Sequence, residues 1–209
     1  MEFAPDDRED NPVNLYLTSG ALFLQFAKLE SILALELRTH LVGRLSERNL
    51  SAYKLAGAVY GSARFSSSRD TIKRLAADEG QPPQKLRFMS DLFDHLGHIA
   101  NLRDKLAHHH VRWSGRREVW LVSDLVTTRR IAEYKTYEFH TLIVGEAVLD
   151  LHWATSHLSK LRLLETRKFG PYDLRQPPWQ YKPSSLKLIR RKSGSRHEEH
   201  PPPLEPYQE

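Results

Sequence analysis

Apolar residues that recur every three or four positions over a long stretch can be buried together only on one side of a helix. Three such stretches dominate this chain of 209 residues. Across 17–44, Phe23, Phe26, Ala27, Ala34, Leu37 and Leu41 share a face. Pro82 or Pro83 suits the first turn of a second long helix reaching about residue 109, roughly 40 Å at 1.5 Å per residue. In the third stretch, 132–166, the apolar side is Ile143, Ala147, Leu151, Ala154, Leu158 and Leu161, and Gly170-Pro171 breaks the pattern. Shorter helices are expected between them. One covers 51–60, with Ser51 as N-cap and Gly61 as stop; another opens with the capping-box spacing of Ser67 and Asp70 and closes at Gly80. Residues 111–123 change character, and Val111, Arg112, Trp113, a Ser114-Gly115 turn, then Val119 to Val122 read as a β-hairpin. The expected fold is all-α, an up-and-down helical bundle of four to five helices with a small β-hairpin insertion.

The chain is slightly longer than one ordinary domain, so one core with appendages is expected: an arm at 1–14, a helical domain at 15–166 and a tail at 167–209. From residue 166 onward nine Lys/Arg stand against five Asp/Glu, which accounts for +4 of the net +5, together with eight of the twelve prolines. Such a tail buries too little apolar surface to offset its ordering entropy, so it is expected to be extended or disordered. It reads as a solubilising appendage or as an electrostatic lure for nucleic acid or an acidic partner. Its Pro177-Pro178-Trp179-Gln180-Tyr181 segment reads as a piece that docks on its own domain or on a partner.

Zero cysteines exclude a disulfide scaffold, a thiol nucleophile and a thiolate metal site. No apolar run approaches the roughly 18 to 20 residues of a membrane-spanning helix, and the acidic start MEFAPDDRED lacks the order of a secretory signal. A cytoplasmic protein without membrane contact is expected. The P-loop, the dinucleotide fingerprint, the G-x-S-x-G elbow and the H-E-x-x-H zinc helix are all missing from the sequence, and no cofactor is expected.

Two charges interrupt apolar faces. On the 82–109 helix Arg103 falls at the centre of the stripe of Leu92, Leu96, Ile99 and Leu106, and Glu30 falls in the middle of the first helix's face. Charge in an apolar interior needs a partner, so Glu30 and Arg103 are expected to face one another across the bundle. The pair reads either as a structural tie setting helix register or as the edge of a cleft in which the planar guanidinium takes a phosphate.

The segment Arg103-Asp104-Lys105-Leu106-Ala107-His108, followed by His109 and His110, resembles the R-x4-6-H signature of the HEPN superfamily. The resemblance covers about residues 15–165, but only the six-residue motif is specific. It implies a homodimer of helical domains in which two copies of the motif form one cleft, a metal-independent endoribonuclease in active members. Toxin or phage-defence roles, and a partner antitoxin or regulatory protein, follow from that likeness alone. Carried over, Arg103 polarises the scissile phosphate and His108 moves a proton, leaving a 2′,3′-cyclic phosphate; the alternative is a non-catalytic helical interaction module. His109 and His110 also satisfy the spacing, so the acting histidine is one of three.

Asp104 departs from the polar, often asparagine, residue common at that position. It either opposes a phosphate or, four residues before His108, orients the imidazole. Arg103 and His108 lie about 140° apart on a regular helix, so a shared cleft requires a second subunit or fraying. Successive helical side chains diverge by about 100°, so the three histidines cannot chelate one metal ion. His95 and His98 are expected at the surface or boundary of the same helix. Arg112, Trp113, Arg116 and Arg117 form the candidate RNA-binding set, since an indole can stack on bases while guanidinium groups hold phosphates.

Overall fold

A computed structural model describes residues 11–44, 54, 64–115, 117–128, 131–164 and 178–189. The chain is mostly helical, with helices α1 (Pro12–Arg44), α2 (Phe65–Asp78), α3 (Pro83–His108) and α4 (Thr141–Leu161). Strands β1 (His110–Ser114), β2 (Val119–Thr128), β3 (Ile131–Phe139) and β4 (Lys187–Ile189) form one antiparallel sheet in the order β1-β2-β3-β4. The β component is therefore larger than the expected hairpin. Of the expected short helix at 51–60 only Lys54 lies among the described residues, where it is helical.

Helix ends follow capping chemistry, not always supplied locally. α1 begins five residues before the expected start because Asn11 caps it. The Asn11 side-chain oxygen accepts the Asn14 N–H at 2.7 Å, and Pro12 fills the first helical position, where no N–H is needed. α2 starts at Phe65, ahead of Ser67, and no neighbouring side chain caps it. Its cap comes from α1: Glu30 Oε1 accepts the Phe65 N–H at 3.0 Å. At the other end of α2 the Glu79 carboxylate pairs with His40 and Arg44 of α1. Both ends of α2 thus align with successive parts of α1, so the two run in the same direction.

The stop of α2 is a Schellman motif. Gly80 adopts φ +66, its N–H donates to Ala77 and the Gln81 N–H donates to Ala76. α3 opens on Pro83 as expected and ends at His108, where His109 turns extended and leads into β1.

The largest correction concerns 131–139, expected as the start of a helix. Ile131-Ala132-Glu133-Tyr134-Lys135-Thr136-Tyr137-Glu138-Phe139 pairs residue for residue with β2, from Trp120↔Phe139 to Thr128↔Ile131. Ile131, Tyr134, Thr136, Tyr137 and Phe139 are β-branched or aromatic residues of the kind that suit a pleated surface, and the helix starts only after His140. α4 ends at Leu161, short of the expected residue 166, where Arg162 takes a left-handed φ of 45.

Leu22, Phe26, Leu29, Leu33 and Leu37 of α1 meet Leu92, Phe93, Leu96, Ile99 and Leu102 of α3 and Val144, Ala147, Leu151 and Ala154 of α4 in one core. Trp120, Val122 and Phe139 close it from the sheet. Beyond α4, Glu36 of α1 accepts the Leu164 N–H at 2.6 Å. No helix among the described residues is long and apolar enough to cross a membrane.

Candidate functional site

Arg103 leaves α3 toward α1 and meets Glu30. Its Nη2 lies 3.5 Å from Glu30 Oε1, and its guanidinium carbon sits 4.6 Å from the centre of the Phe26 ring. Nη1 donates to Asp104 Oδ1 at 2.6 Å. The structure therefore brings together Glu30, Arg103 and Asp104 on a floor of Phe26, which Phe65 meets edge-on at 5.4 Å.

Arg103 keeps the line of Leu92, Leu96 and Ile99 around α3, but its side chain is 26% exposed, so the charge is half-buried and not interior. Glu30 stands to one side of its helix's core line: the buried line of α1 is Leu22, Phe26, Leu29, Leu33 and Leu37, and Phe23, Ala27, Ala34 and Leu41 lie off it. Inside the motif the buried charge is Lys105, whose ammonium lies 4.3 Å from the Tyr137 ring.

His108 is exposed at the last residue of α3, His109 is half-buried and His110 is exposed on β1. α3 is helical through His108, so Arg103 turns inward to α1 while His108 points to solvent, about 140° around the helix. One copy of the chain does not bring the two together. Asp104, read from the sequence either as opposing a phosphate or as orienting His108, is bonded to Arg103.

The four residues expected to hold RNA are divided. Arg116 lies outside the described residues. Arg112 and Trp113 are neighbours on β1 and so point to opposite sides of the sheet. Trp113, 39% exposed, faces its cross-strand partner Trp120 with ring centres 5.3 Å apart; Arg112 shares a row with Leu121, Glu138 and Lys187. Arg117 Nη1 lies 3.6 Å from Glu138.

Sequence reasoning missed a buried polar cluster between α3 and α4. His95, expected near the surface, is only 8% exposed, whereas His98 is exposed. His95 Nε2 is 2.9 Å from Asp150 Oδ2, and the same carboxylate accepts the N–H groups of Gln180 and Tyr181, each at 3.0 Å. The Trp179 ring stacks on His95 at 4.1 Å and 13°, with Trp153 edge-on to it at 5.4 Å. The aromatic-proline segment thus docks on its own domain and leads on to β4. Burial pushes the Tyr181 hydroxyl up to about 12. The available signal was Asp150 on the apolar side of α4, four residues before Ala154 and next to Leu151.

A scan of protein-family models, a search of curated proteins and a search of solved structures each find no match.

Proposed function

We propose that this chain is a HEPN-like, metal-independent endoribonuclease that works as a homodimer in the cytoplasm, with Arg103 and His108 drawn from different copies. The observation that carries this reading is the placement of one motif. A partly exposed guanidinium and an exposed imidazole sit five residues apart on a straight helix and diverge, which leaves each available to a complement from a second copy.

In that cleft a neutral His108 takes the proton of a ribose 2′-hydroxyl. The 2′ oxygen attacks phosphorus, the bond from phosphorus to the 5′ oxygen breaks, the 5′ oxygen takes a proton from water to leave as a hydroxyl, and the His108 imidazolium returns its own proton to the solvent. The product end is a 2′,3′-cyclic phosphate. Arg103 holds the non-bridging oxygens with its planar fork, in competition with Glu30 and Asp104. A role among toxins or phage-defence proteins, with an antitoxin or regulatory partner, belongs to the same proposal.

The test is incubation of the purified protein with total RNA in a metal chelator, followed by end-group analysis. Cyclic phosphate ends are expected from the wild type, with His108→Ala slower by about 10²- to 10⁴-fold, the usual contribution of a proton-transferring group. Intact RNA would sink the enzyme reading, and Arg103→Lys at full activity would leave Arg103 with a structural part only.

A second reading, a non-catalytic helical interaction module, is favoured by the other bond of Glu30. A carboxylate that both caps α2 and holds Arg103 joins three helices without any substrate.

A further inference from the structure

The 33 residues of α1 carry two apolar sides. Leu15, Leu22, Phe26, Leu29, Leu33 and Leu37 are buried in the core. Val13, Leu17, Leu24 and Leu35 are exposed by 49% to 75%. These four fall within a sector of about 40°, and that sector is centred about 180° from the buried line. Tyr16 borders it. Among the described residues, five of the nine exposed large apolar side chains belong to this one helix. Exposed apolar residues on monomers are normally scattered singly, and a contiguous stripe marks a contact surface.

We propose that the outer stripe of α1 binds a second copy of this chain, the two α1 helices lying antiparallel across a two-fold axis at Leu24. The stripe is self-complementary under that operation, as a two-fold interface must be. Leu24 meets Leu24, Val13 of one copy faces Leu35 of the other, and Leu17 faces Ser31. Gly20 faces Lys28, and a side chain at Gly20 would meet nothing within 4 Å, which leaves room for the lysine's methylene stem.

Val13, Leu17, Leu24, Leu35 and the flanking Tyr16, exposed by 49% to 76%, present an area of the same order as the roughly 800 Å² per partner of a stable interface, and residues such as Lys28 extend it. Between residues 13 and 35 the stripe holds a single charge, Lys28. A membrane surface is a poorer occupant, because an interfacial helix keeps a polar face opposite its apolar one and here the opposite face is core. The proposal shares with the RNA reading the pairing of two chains, but it rests on other residues and holds whether or not Arg103 and His108 cleave RNA.

Light scattering on the full chain at tens of micromolar is expected to give twice the 24.2 kDa chain mass. Leu24→Glu sets two carboxylates against each other on the axis and is expected to halve that mass; Leu149→Glu, on the exposed side of α4, is expected to leave it unchanged. Since the chain has no cysteine, Leu24→Cys supplies one thiol per copy and should form a disulfide-linked dimer under mild oxidation. A mixture of Val13→Cys and Leu35→Cys should cross-link between the two variants, and neither variant with itself.

A wild-type monomer, an undiminished mass for folded Leu24→Glu, or self-linking of Val13→Cys would each overturn the proposal. The thiol variants keep the test decisive if Leu24→Glu fails to fold. Uncleaved RNA in a sample that weighs as a dimer counts against the nuclease reading alone.

Discussion

Asp150 ties the tail to the helices, because one buried carboxylate meets three partners: His95 and the N–H groups of Gln180 and Tyr181. Removing it leaves the buried imidazole of His95 and the buried amide of Tyr181 without their acceptor, and breaks the part-buried bond from Gln180. Asp150→Ala is therefore expected to lower stability by about 3 to 5 kcal/mol in urea unfolding. Asp94→Ala serves as the contrast: its partner Lys73 is 3.6 Å away at the surface, and a loss under about 1 kcal/mol is expected.

Tyr181 adds a dependence on pH. Its hydroxyl ionises near 12 when folded, against 10.0 in the open chain, so the folded state holds the proton more tightly. That contribution is fully present below pH 10 and is lost as pH rises through about 12, on the order of 2 to 3 kcal/mol in all. Comparing unfolding curves of wild type and Tyr181→Phe from pH 9 to 12 measures it, and parallel curves would contradict the assignment. At this scale the sequence was half informative. Glu30 and Arg103 could be paired because each disturbs an apolar face, whereas His95 and Asp150 are 55 residues apart and their shared partner is a segment of the tail.

At the scale of elements, stops were more legible than starts. Gly80 marked the end of α2 because only a left-handed residue completes the Schellman bonds. Space around its missing Cβ is open, so Gly80→Ala pays for backbone strain alone, about 1 kcal/mol, visible as a small fall in melting temperature. The start of α2 was misplaced because its cap, Glu30, arrives from another helix. β3 was misread for a different reason. Ala132, Tyr134, Thr136 and Glu138 alternate with Ile131, Glu133, Lys135 and Tyr137 without a clean polar side, and the helical signal of α4 was extended backward over them. Its register with β2 is a tertiary fact that no local pattern states. The same alternation separates Arg112 from Trp113, which a linear reading had grouped.

The whole molecule is a mostly helical body whose last described pieces, the Trp179-to-Tyr181 strap and β4, come after α4 and close over α3, α4 and the edge of β3. Composition marked that region only as basic and proline-rich. Truncation after Leu164 is expected to remove several kcal/mol, a large share of the roughly 5 to 15 available to a domain, through loss of Tyr181, Trp179 and β4. Dye binding to exposed apolar surface and a broadened melt should report it; a truncated chain as stable as the full one would show the strap to be ornamental.

Because that closing segment follows α4 in the chain, the ribosome releases it only after α1 to α4 have emerged. Until then the nascent helices hold His95 and Asp150 open to water and one border of β3 without its neighbour. Docking of this segment is therefore a later step than the pairing of the four helices. A stalled or prematurely terminated chain exposes the surfaces on which chaperones and self-association act.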